Sequence, residues 1–307
     1  MKNFIDISDI SLKDLKKILN VSTKRKIKRK NLNTTEPDKD LPLKGKLLVQ
    51  IFEKSSLRTR LSFYISMKQL GGDVLTLRPD EIHLGKRNET LFDTAKTIST
   101  YSDIFLLRSK DHKKILDLKK HLQIPIINGL SPDSHPVQVI SDIFTIEEVT
   151  KKKISNLNIT WIGDSNNVLN SLIQASNKFL FDLNIACPKE YKPSNLILKL
   201  NRKSKIKIFH NPDDAIKNAD VVYIDKFVSI NDKVNKKNKL KKFKRFILNK
   251  DLISKAKKNT FILHCLPRGS EINNELFNSS QSKVWQQAEN RMHVQKSVLL
   301  YCFDKLR

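Results

Sequence analysis

Short apolar segments alternate with segments of helical periodicity along most of this sequence, and that alternation restricts the fold to one class. The apolar segments are rich in Leu, Val and Ile, as buried strands are, and they span residues 46–52, 104–108, 124–128, 157–163, 184–187, 205–209, 221–225 and 261–266. Strands that alternate with helices form parallel sheets with helices packed on their faces. The sequence therefore predicts an α/β fold with mainly parallel sheets flanked by helices.

The length of the chain leaves room for two domains. With 307 residues, each half is large enough to bury a hydrophobic core of its own. The polar and basic segment Lys151–Asn156 lies between two stretches of comparable length. We place the domain boundary there, so that the first domain occupies residues 1–150 and the second begins at residue 151.

The turn between the first apolar segment and the helical segment that follows it is dense in hydroxyl and guanidinium groups. Its sequence from Glu53 to Arg60 is EKSSLRTR. The backbone N–H groups at a helix start, the positive end of the helix dipole and Ser, Thr and Arg side chains together form an anion site, above all for phosphate. A capped helix with solvated arginines is an equally good interpretation of the turn taken alone.

Other polar residues follow the ends of predicted strands, where ligands collect in open parallel sheets. Arg108, Asp225 and Cys265 each lie at the carboxyl end of an apolar segment. His135 precedes Pro136 at a helix start, where the dipole favours a neutral imidazole that donates a hydrogen bond. Each of these residues, taken singly, also fits a purely structural role. The turn at residues 163–167 has no G-x-G-x-x-G pattern, so a dinucleotide is not indicated.

The charge of the chain is strongly basic. Its net charge of +26 comes from 58 Lys and Arg against 32 Asp and Glu, with basic runs at residues 24–30 and 236–245. These runs have few aromatic residues and no nucleic-acid-reading motif, so a solvated surface is favoured over a nucleic-acid interface. We expect the lysine-rich segment 232–245 to be mobile. Such a charge also attracts anionic small molecules.

Membrane insertion, secretion and zinc binding are not indicated. No segment approaches the roughly 18 apolar residues that a membrane helix needs. The N-terminus predicts a helix capped near Ser11 instead of a signal peptide. The three cysteines show no C-x-x-C spacing, which argues against a disulfide framework or zinc site and predicts a cytoplasmic protein.

Six ordered motifs resemble those of the ornithine carbamoyltransferases and span nearly the whole chain. They are FEKSSLRTRLSF from Phe52, HPVQ from His135, GDSNNVLNS from Gly163, ADVVYID followed by VSI from Ala219, HCLP from His264 and ENRMHVQK from Glu289. The first two also occur in aspartate carbamoyltransferases, whereas the GDSNN turn, the Asp225 segment and HCLP point to the ornithine branch. The resemblance implies transfer of the carbamoyl group of carbamoyl phosphate to the side-chain amine of ornithine, giving citrulline and phosphate, with no metal or organic cofactor.

The resemblance also implies a role for each matching position. The carbamoyl phosphate contacts would be Ser56, Leu57, Arg58, Thr59, His83, Arg108, His135, Gln138 and Arg291. The ornithine contacts would be Asn167, Asp225, Ser229, Ile230, Cys265 and Leu266. The catalytic residues among them would be Arg58, Arg108, His135, Asp225 and Cys265.

The same resemblance implies how the domains and subunits are arranged. Residues 1–150, joined by a returning C-terminal helix at 286–307, would bind carbamoyl phosphate, and residues 151–285 would bind ornithine. The active site would lie in the cleft between them. His83 would serve the active site of a neighbouring subunit, which implies a homotrimer with shared sites.

Three departures from the family pattern leave the acceptor open. Leu57 replaces the Thr that is usual in the ornithine branch, Ile230 and Asn231 replace Met-Gly, and the link after HCLP is shorter than usual. Leu at the first of these positions also occurs in relatives that use N-acylated ornithines. The alternatives are therefore an N-acylated ornithine or another amine as acceptor, and, in a different class, a nucleic-acid-binding protein on an inactive enzyme fold.

Overall fold

The computed structural model describes residues 2–79, 82, 89–228 and 235–306. The chain forms two compact units, the first from Met1–Ser141 with Asn290–Arg307 and the second from Asp142–Glu289. Both divisions fall inside long helices and not at the connector Lys151–Asn156. A domain boundary at that connector stays a prediction.

Helices and strands alternate through the described residues, as the sequence predicts. The α-helices are α1 (Leu12–Lys28), α2 (Arg58–Gln69), α3 (Leu91–Tyr101), α4 (His112–His121), α5 (Pro136–Thr150), α6 (Asn167–Phe179), α7 (Asn195–Leu200), α8 (Pro212–Ile216), α9 (Lys236–Phe243), α10 (Lys250–Ile253), α11 (Asn274–Phe277) and α12 (Val284–Cys302). The strands are β1 (Leu47–Phe52), β2 (Asp73–Leu77), β3 (Ile104–Arg108), β4 (Ile126–Leu130), β5 (Asn158–Ile162), β6 (Asp182–Ala186), β7 (Ile206–Phe209), β8 (Val221–Ile224) and β9 (Phe261–His264). Single 3₁₀ turns occur at Ile7–Asp9, Ile154–Asn156, Lys189–Tyr191 and Lys244–Phe246.

The first unit contains a four-stranded sheet in the order β2-β1-β3-β4, with every pair parallel. Strands β1 and β3 are buried almost throughout, which explains their continuous apolar sequences. The strand order changes direction between β1 and β3, whose last residues Phe52 and Arg108 pair with each other. Such a switch point opens a crevice at the carboxyl ends of the strands, where ligands bind.

The second unit contains a five-stranded parallel sheet in the order β7-β6-β5-β8-β9. Its switch point lies between β5 and β8, where Ile162 pairs with Ile224. A buried cluster of apolar side chains packs around β8 and β9 and includes Phe227, Phe243 and Phe246. Because β5, β8 and β9 are adjacent and parallel, the polar residues that follow them lie at the same edge of this sheet.

The C-terminal helix α12 returns to the first unit. Ser22 donates a hydrogen bond to the Ser297 hydroxyl (2.9 Å), and Ser66 donates one to the Met292 carbonyl (2.9 Å). Lys296 is fully buried and contacts both carboxylate oxygens of Asp38. Two parallel sheets flanked by helices and this returning helix confirm the predicted fold class.

The lysine-rich segment corrects an expectation from the sequence. Where the structure describes it, from residue 235 onward, it forms α9 and not a mobile loop. Asn235 caps this helix by accepting from the N–H groups of Lys237 and Asn238. Phe243 is buried and stacks on Phe227 with ring centroids 4.6 Å apart. A good cap and one buried apolar side chain, Phe243, suffice here because the helix packs on the apolar cluster around β8 and β9.

No helix within the described part of the chain is both long enough and apolar enough to cross a membrane.

Candidate active site

The turn after β1 leads directly into α2, whose first residue is Arg58. Leu57 occupies the N-cap position with its side chain 68% exposed. A Leu side chain has no hydrogen-bond acceptor, so it cannot cap the first-turn N–H groups as Ser or Thr would. These N–H groups and the positive end of the α2 dipole suit an anion.

Polar side chains from four elements meet beside this turn. Arg291 on α12 is 2% exposed and donates to Gln138 Oε1 on α5 (2.7 Å) and to Thr59 Oγ1 on α2 (2.8 Å). Arg108 at the end of β3 donates to Ser56 Oγ in the turn (3.3 Å). The structure thus brings together residues that lie more than 230 positions apart in the sequence.

His135 lies among these cations. It is 4% exposed, and its pKa is held well below the usual 6.5, first by burial and then by the positive charges of Arg291, Arg108 and Arg58. The imidazole is therefore neutral at physiological pH and keeps one ring N–H as a donor. This agrees with the neutral histidine that the helix-start position predicts.

Glu53 fixes the turn to the end of β3, a contact that no sequence pattern indicates. Its carboxylate accepts from the Ser109 hydroxyl (2.7 Å), from the Lys110 N–H (2.8 Å) and from Lys114. Burial of Glu53 favours the protonated form, but these hydrogen bonds outweigh it and lower the pKa. Since the Glu53 N–H also donates to the Arg108 carbonyl (2.9 Å), the β1 and β3 ends are tied together.

The second unit has its own polar cluster, centred on the buried carboxylate of Asp225 after β8. Cys265, after β9, donates its thiol hydrogen to Asp225 Oδ1 (3.0 Å), and Asn166, after β5, donates to Asp225 Oδ2 (2.7 Å). Asn166 also caps α6 through the N–H groups of Val168 and Leu169. The cluster joins three strand ends next to the switch point.

The backbone beyond Cys265 is held by an internal clamp. The Leu266 N–H donates to His264 Nδ1 (2.8 Å), so the ring proton lies on Nε2, which donates to Glu271 Oε1 (2.8 Å). Glu271 also accepts from the Gly269 N–H, and hydrogen bonds from His264 and Gly269 overcome the opposing effect of burial to lower the pKa of Glu271. Both His264 and Glu271 are buried.

The structure places the sequence-predicted residues in two groups. The first unit brings together Ser56, Arg58, Thr59, Arg108, His135, Gln138 and Arg291, with Leu57 at their edge. In the second unit Asp225 contacts Cys265, Leu266 follows it, and Asn167 begins α6. His83, Ser229 and Ile230 lie outside the described residues.

Sequence reasoning missed Asn166, Glu53, His264 and Glu271. For Asn166 a signal existed, because it stands beside Asn167 in the same turn and Asn is a preferred N-cap residue. For the other three, the partners are set by sheet order and loop path, which no local pattern shows.

The two groups differ in the chemistry they favour. The first combines three arginines, a helix N-terminus and a neutral histidine, a set of donors suited to a phosphate and to a carbonyl oxygen. The second presents a carboxylate, a thiol and amides, which suits an amine or ammonium group. Among the described residues no group of three or more His, Cys, Asp or Glu side chains could hold a metal ion.

Comparisons with known proteins agree with this division of chemistry. The carbamoyl-P binding domain of the aspartate/ornithine carbamoyltransferase family matches residues 2–148, and the Asp/Orn binding domain matches residues 155–302. The chain is 40% identical over 305 residues to an ornithine carbamoyltransferase of Agrobacterium fabrum, covering 98% of this chain and 97% of that protein. It is 39% identical over 312 residues to that of Bradyrhizobium diazoefficiens, covering 100% and 98%.

Two solved structures extend the likeness to three dimensions. An ornithine carbamoyltransferase from Pyrococcus furiosus superposes with a TM-score of 0.91 at 37% identity, covering 97% of this chain and 96% of that one. The anabolic ornithine carbamoyltransferase of Campylobacter jejuni gives 0.89 at 34% identity, covering 99% and 100%. By sequence and by fold over its full length, this chain belongs to the aspartate/ornithine carbamoyltransferase family.

Proposed function

We propose that this protein transfers the carbamoyl group of carbamoyl phosphate to the side-chain amine of ornithine, giving citrulline and phosphate. The observation that carries the proposal is the first cluster, in which Arg291 contacts Gln138 and Thr59 while Arg108 contacts Ser56. Two relatives that are 40% and 39% identical to this chain are named ornithine carbamoyltransferases, which supports ornithine as the acceptor.

The donor binds at the first cluster. Its phosphate is held by the Ser56–Thr59 turn, by the N-terminus of α2 and by the arginines, whose charge does not change at physiological pH. The partial burial of Lys54 and its closeness to Lys110 and Arg108 lower the pKa of Lys54, a sign of how cationic the surroundings are. Neutral His135 donates to the carbonyl oxygen, where negative charge grows in the transition state.

The acceptor binds at the polar cluster of the second unit, which consists of Asp225, Cys265 and Asn166. Asp225 orients the amine, and Cys265, itself bonded to Asp225, lies beside it. The ammonium must first lose a proton to solvent; the amine nitrogen then forms a bond to the carbonyl carbon while the bond from that carbon to the phosphate oxygen breaks. The departing phosphate accepts the proton that the new amide nitrogen loses. No metal or organic cofactor takes part in this scheme.

A different acceptor, such as an N-acylated ornithine or another amine, is the second candidate. It is favoured by Leu57, whose apolar side chain is 68% exposed at the edge of the anion-binding turn. Compared with the usual Thr, Leu57 lacks a hydroxyl that could contact the phosphate, whereas the backbone N–H groups of the turn remain.

We also propose a homotrimer with shared active sites. The support is the family position of His83 and the exposed apolar side chains of Leu61 (53%) and Tyr64 (43%) along α2, which suit burial against another copy. A monomer in sedimentation equilibrium at assay concentration would refute the trimer.

Replacement of Arg58 tests the donor site directly. Arg58→Ala is expected to lower kcat/KM for citrulline formation by about 100-fold to 1,000-fold, because one preorganised cation or donor supplies stabilisation of that order. The matched control is Arg202→Ala, which removes an exposed arginine in the second unit and should change kcat/KM by no more than about twofold. Near-normal kinetics for Arg58→Ala would show that the turn is structural.

A further inference from the structure

A buried lysine on α9 forms an ion pair that the proposed reaction does not yet use. Lys239 is 2% exposed, and its ammonium contacts the carboxylate of Asp164, whose side chain is 13% exposed. The ammonium also lies 5.0 Å from the centroid of the Tyr191 ring. Charge alone predicts that a lysine within the basic run 236–245 is solvated, and this one is not.

Burial of the Lys239 ammonium and the Asp164 carboxylate costs free energy of desolvation, which their ion pair offsets. A buried ammonium is unfavourable unless it is paired, and removal of one partner leaves the other charge buried without compensation. The pair therefore fixes the distance between α9 and the segment that carries Asp164. That segment is the turn between β5 and α6.

The turn that contains Asp164 leads to the acceptor cluster. The Asp164 carbonyl accepts from the Trp161 indole N–H (3.2 Å), which orients the start of the turn. Two residues further on, Asn166 caps α6 and donates to Asp225 Oδ2 (2.7 Å). A continuous set of contacts thus runs from Lys239 through the Asp164 turn to the carboxylate of Asp225.

The fold of α9 does not depend on the ion pair alone. Phe243, one turn beyond Lys239, packs against Tyr191 (5.0 Å between centroids) and Phe227 (4.6 Å). Apolar contacts of this kind persist when the lysine is changed, because none of them involves its charge. Docking of the helix therefore has apolar contacts of its own, and the ion pair adds a link from α9 to the Asp164 turn.

We propose that Lys239 is a positioning residue for the acceptor amine: through Asp164 it fixes the turn that sets Asn166 against Asp225. The inference rests on the proposed function, because it concerns binding of the amine in that reaction. It assigns Lys239 no contact with a substrate. Its effect is on where the Asp225 carboxylate lies and not on the donor site in the first unit.

Three variants test this role. Lys239→Met keeps the length of the side chain and its contact with the Tyr191 ring but removes the charge, and Lys239→Arg restores the charge. Lys242→Met is the matched control, because Lys242 lies on the same helix, lies 5.9 Å from the same ring and pairs with the exposed Glu190. For each, kcat and the KM of both substrates are measured, along with the thermal midpoint of unfolding.

The expected result is a selective loss at the acceptor. Lys239→Met should raise the KM for ornithine by about 10-fold to 100-fold, as small misplacements of positioning groups do, while the KM for carbamoyl phosphate stays within about twofold. Lys239→Arg should recover most of the loss, and Lys242→Met should match the wild type. Asp164→Asn, which retains the turn but not the charge, should reproduce the Lys239→Met kinetics and serves if that variant does not fold.

Two results would overturn the inference. One is an unchanged ornithine KM in folded Lys239→Met or Asp164→Asn. The other is an equal rise in the KM of both substrates, which marks a purely structural role. Wild-type activity with ornithine separates this failure from that of the proposed function: an active wild type with an unaffected Lys239→Met refutes only the inference. A wild type that carbamoylates no amine refutes both.

Discussion

At the residue scale, surroundings set the chemistry of two histidines in opposite directions. His135 is buried among arginines, so its pKa is lowered. His112 has a raised pKa, first because its side chain bonds to Asp6, against an opposing effect of burial. Its Nε2 lies 3.3 Å from Asp6 Oδ2 and its Nδ1 lies 2.8 Å from the Ser131 hydroxyl. Burial among cations thus favours the neutral form of His135, whereas the carboxylate of Asp6 favours the charged form of His112.

An NMR titration of the histidine ring protons checks this contrast. His135 should keep its neutral chemical shift from about pH 8 down to about pH 6, whereas His112 should become protonated above the ordinary pKa of about 6.5. The assignment comes from His135→Gln and His112→Gln. A His135 signal that titrates near 6.5 would contradict a neutral hydrogen-bond donor in the donor site.

The two shifts also act on stability with opposite signs. The His135 contribution is complete above the unfolded-state pKa and is lost as the pH falls towards the lowered folded-state pKa. The His112 contribution is complete below the unfolded-state pKa and is lost as the pH rises through the raised folded-state pKa.

At the scale of elements, one carboxylate joins three pieces of the first unit. Asp38 accepts from Arg25 (2.8 Å) and Arg29 (2.6 Å) on or next to α1, and from Lys296 on α12. Lys296 is fully buried, and burial lowers its pKa to about 8 in spite of Asp38, which raises it. The carboxylate therefore compensates more positive charge than it carries, and the three cations depend on it unequally.

Removal of the shared acid should be far worse than removal of the lysine. Asp38→Ala is expected to lower the free energy of unfolding by about 3–5 kcal/mol, because it removes the carboxylate that Arg29 and Lys296 share, whereas Arg25 keeps its ion pair with Asp40. Lys296→Met should change it by less than about 1 kcal/mol at pH 7, because Asp38 keeps both arginines and the methionine fills the space. Urea unfolding measures both, and equal losses in the two variants would contradict this ranking.

The pH dependence of unfolding, compared between the wild type and Lys296→Met, gives a second test of the Lys296 environment. Because the folded-state pKa of Lys296 lies below the ordinary value of 10.5, its contribution to stability is complete above 10.5 and is lost as the pH falls to about 8. The wild type should therefore gain stability relative to Lys296→Met between about pH 8 and pH 10.

At the scale of the whole molecule, hydrophobic patterning predicted the architecture and the approximate place of the site. Strands such as β1 and β3 can be recognised in the sequence as continuous apolar runs, because both faces of a parallel strand are buried. Strand β2 was not predicted, since as an edge strand it is half exposed and lacks a continuous apolar run. Helix α4 was missed because only Ile115 and Leu118 are buried in a segment of charged residues.

The pairs within the site could not be predicted from the sequence in the same way. That ligands collect at strand ends follows from parallel-sheet geometry, so Arg108 and Asp225 could be placed before the structure was known. The contacts of Arg291 with Thr59, and of Asn166 with Asp225, depend on sheet order and on the path of α12. From the sequence, Arg291 looks like an ordinary helix residue, and Lys239 looks like part of a solvated charge run.

Acceptor choice is the central claim at the molecular scale, and one assay tests it most directly. Purified protein is given carbamoyl phosphate with either ornithine or Nα-acetylornithine, and the carbamoylated product is measured. We expect citrulline from ornithine with a kcat/KM at least about 100-fold above that for the acetylated acceptor, a ratio within reach of binding discrimination. Turnover of the acetylated amine in preference to ornithine, or no citrulline at all, would contradict the account.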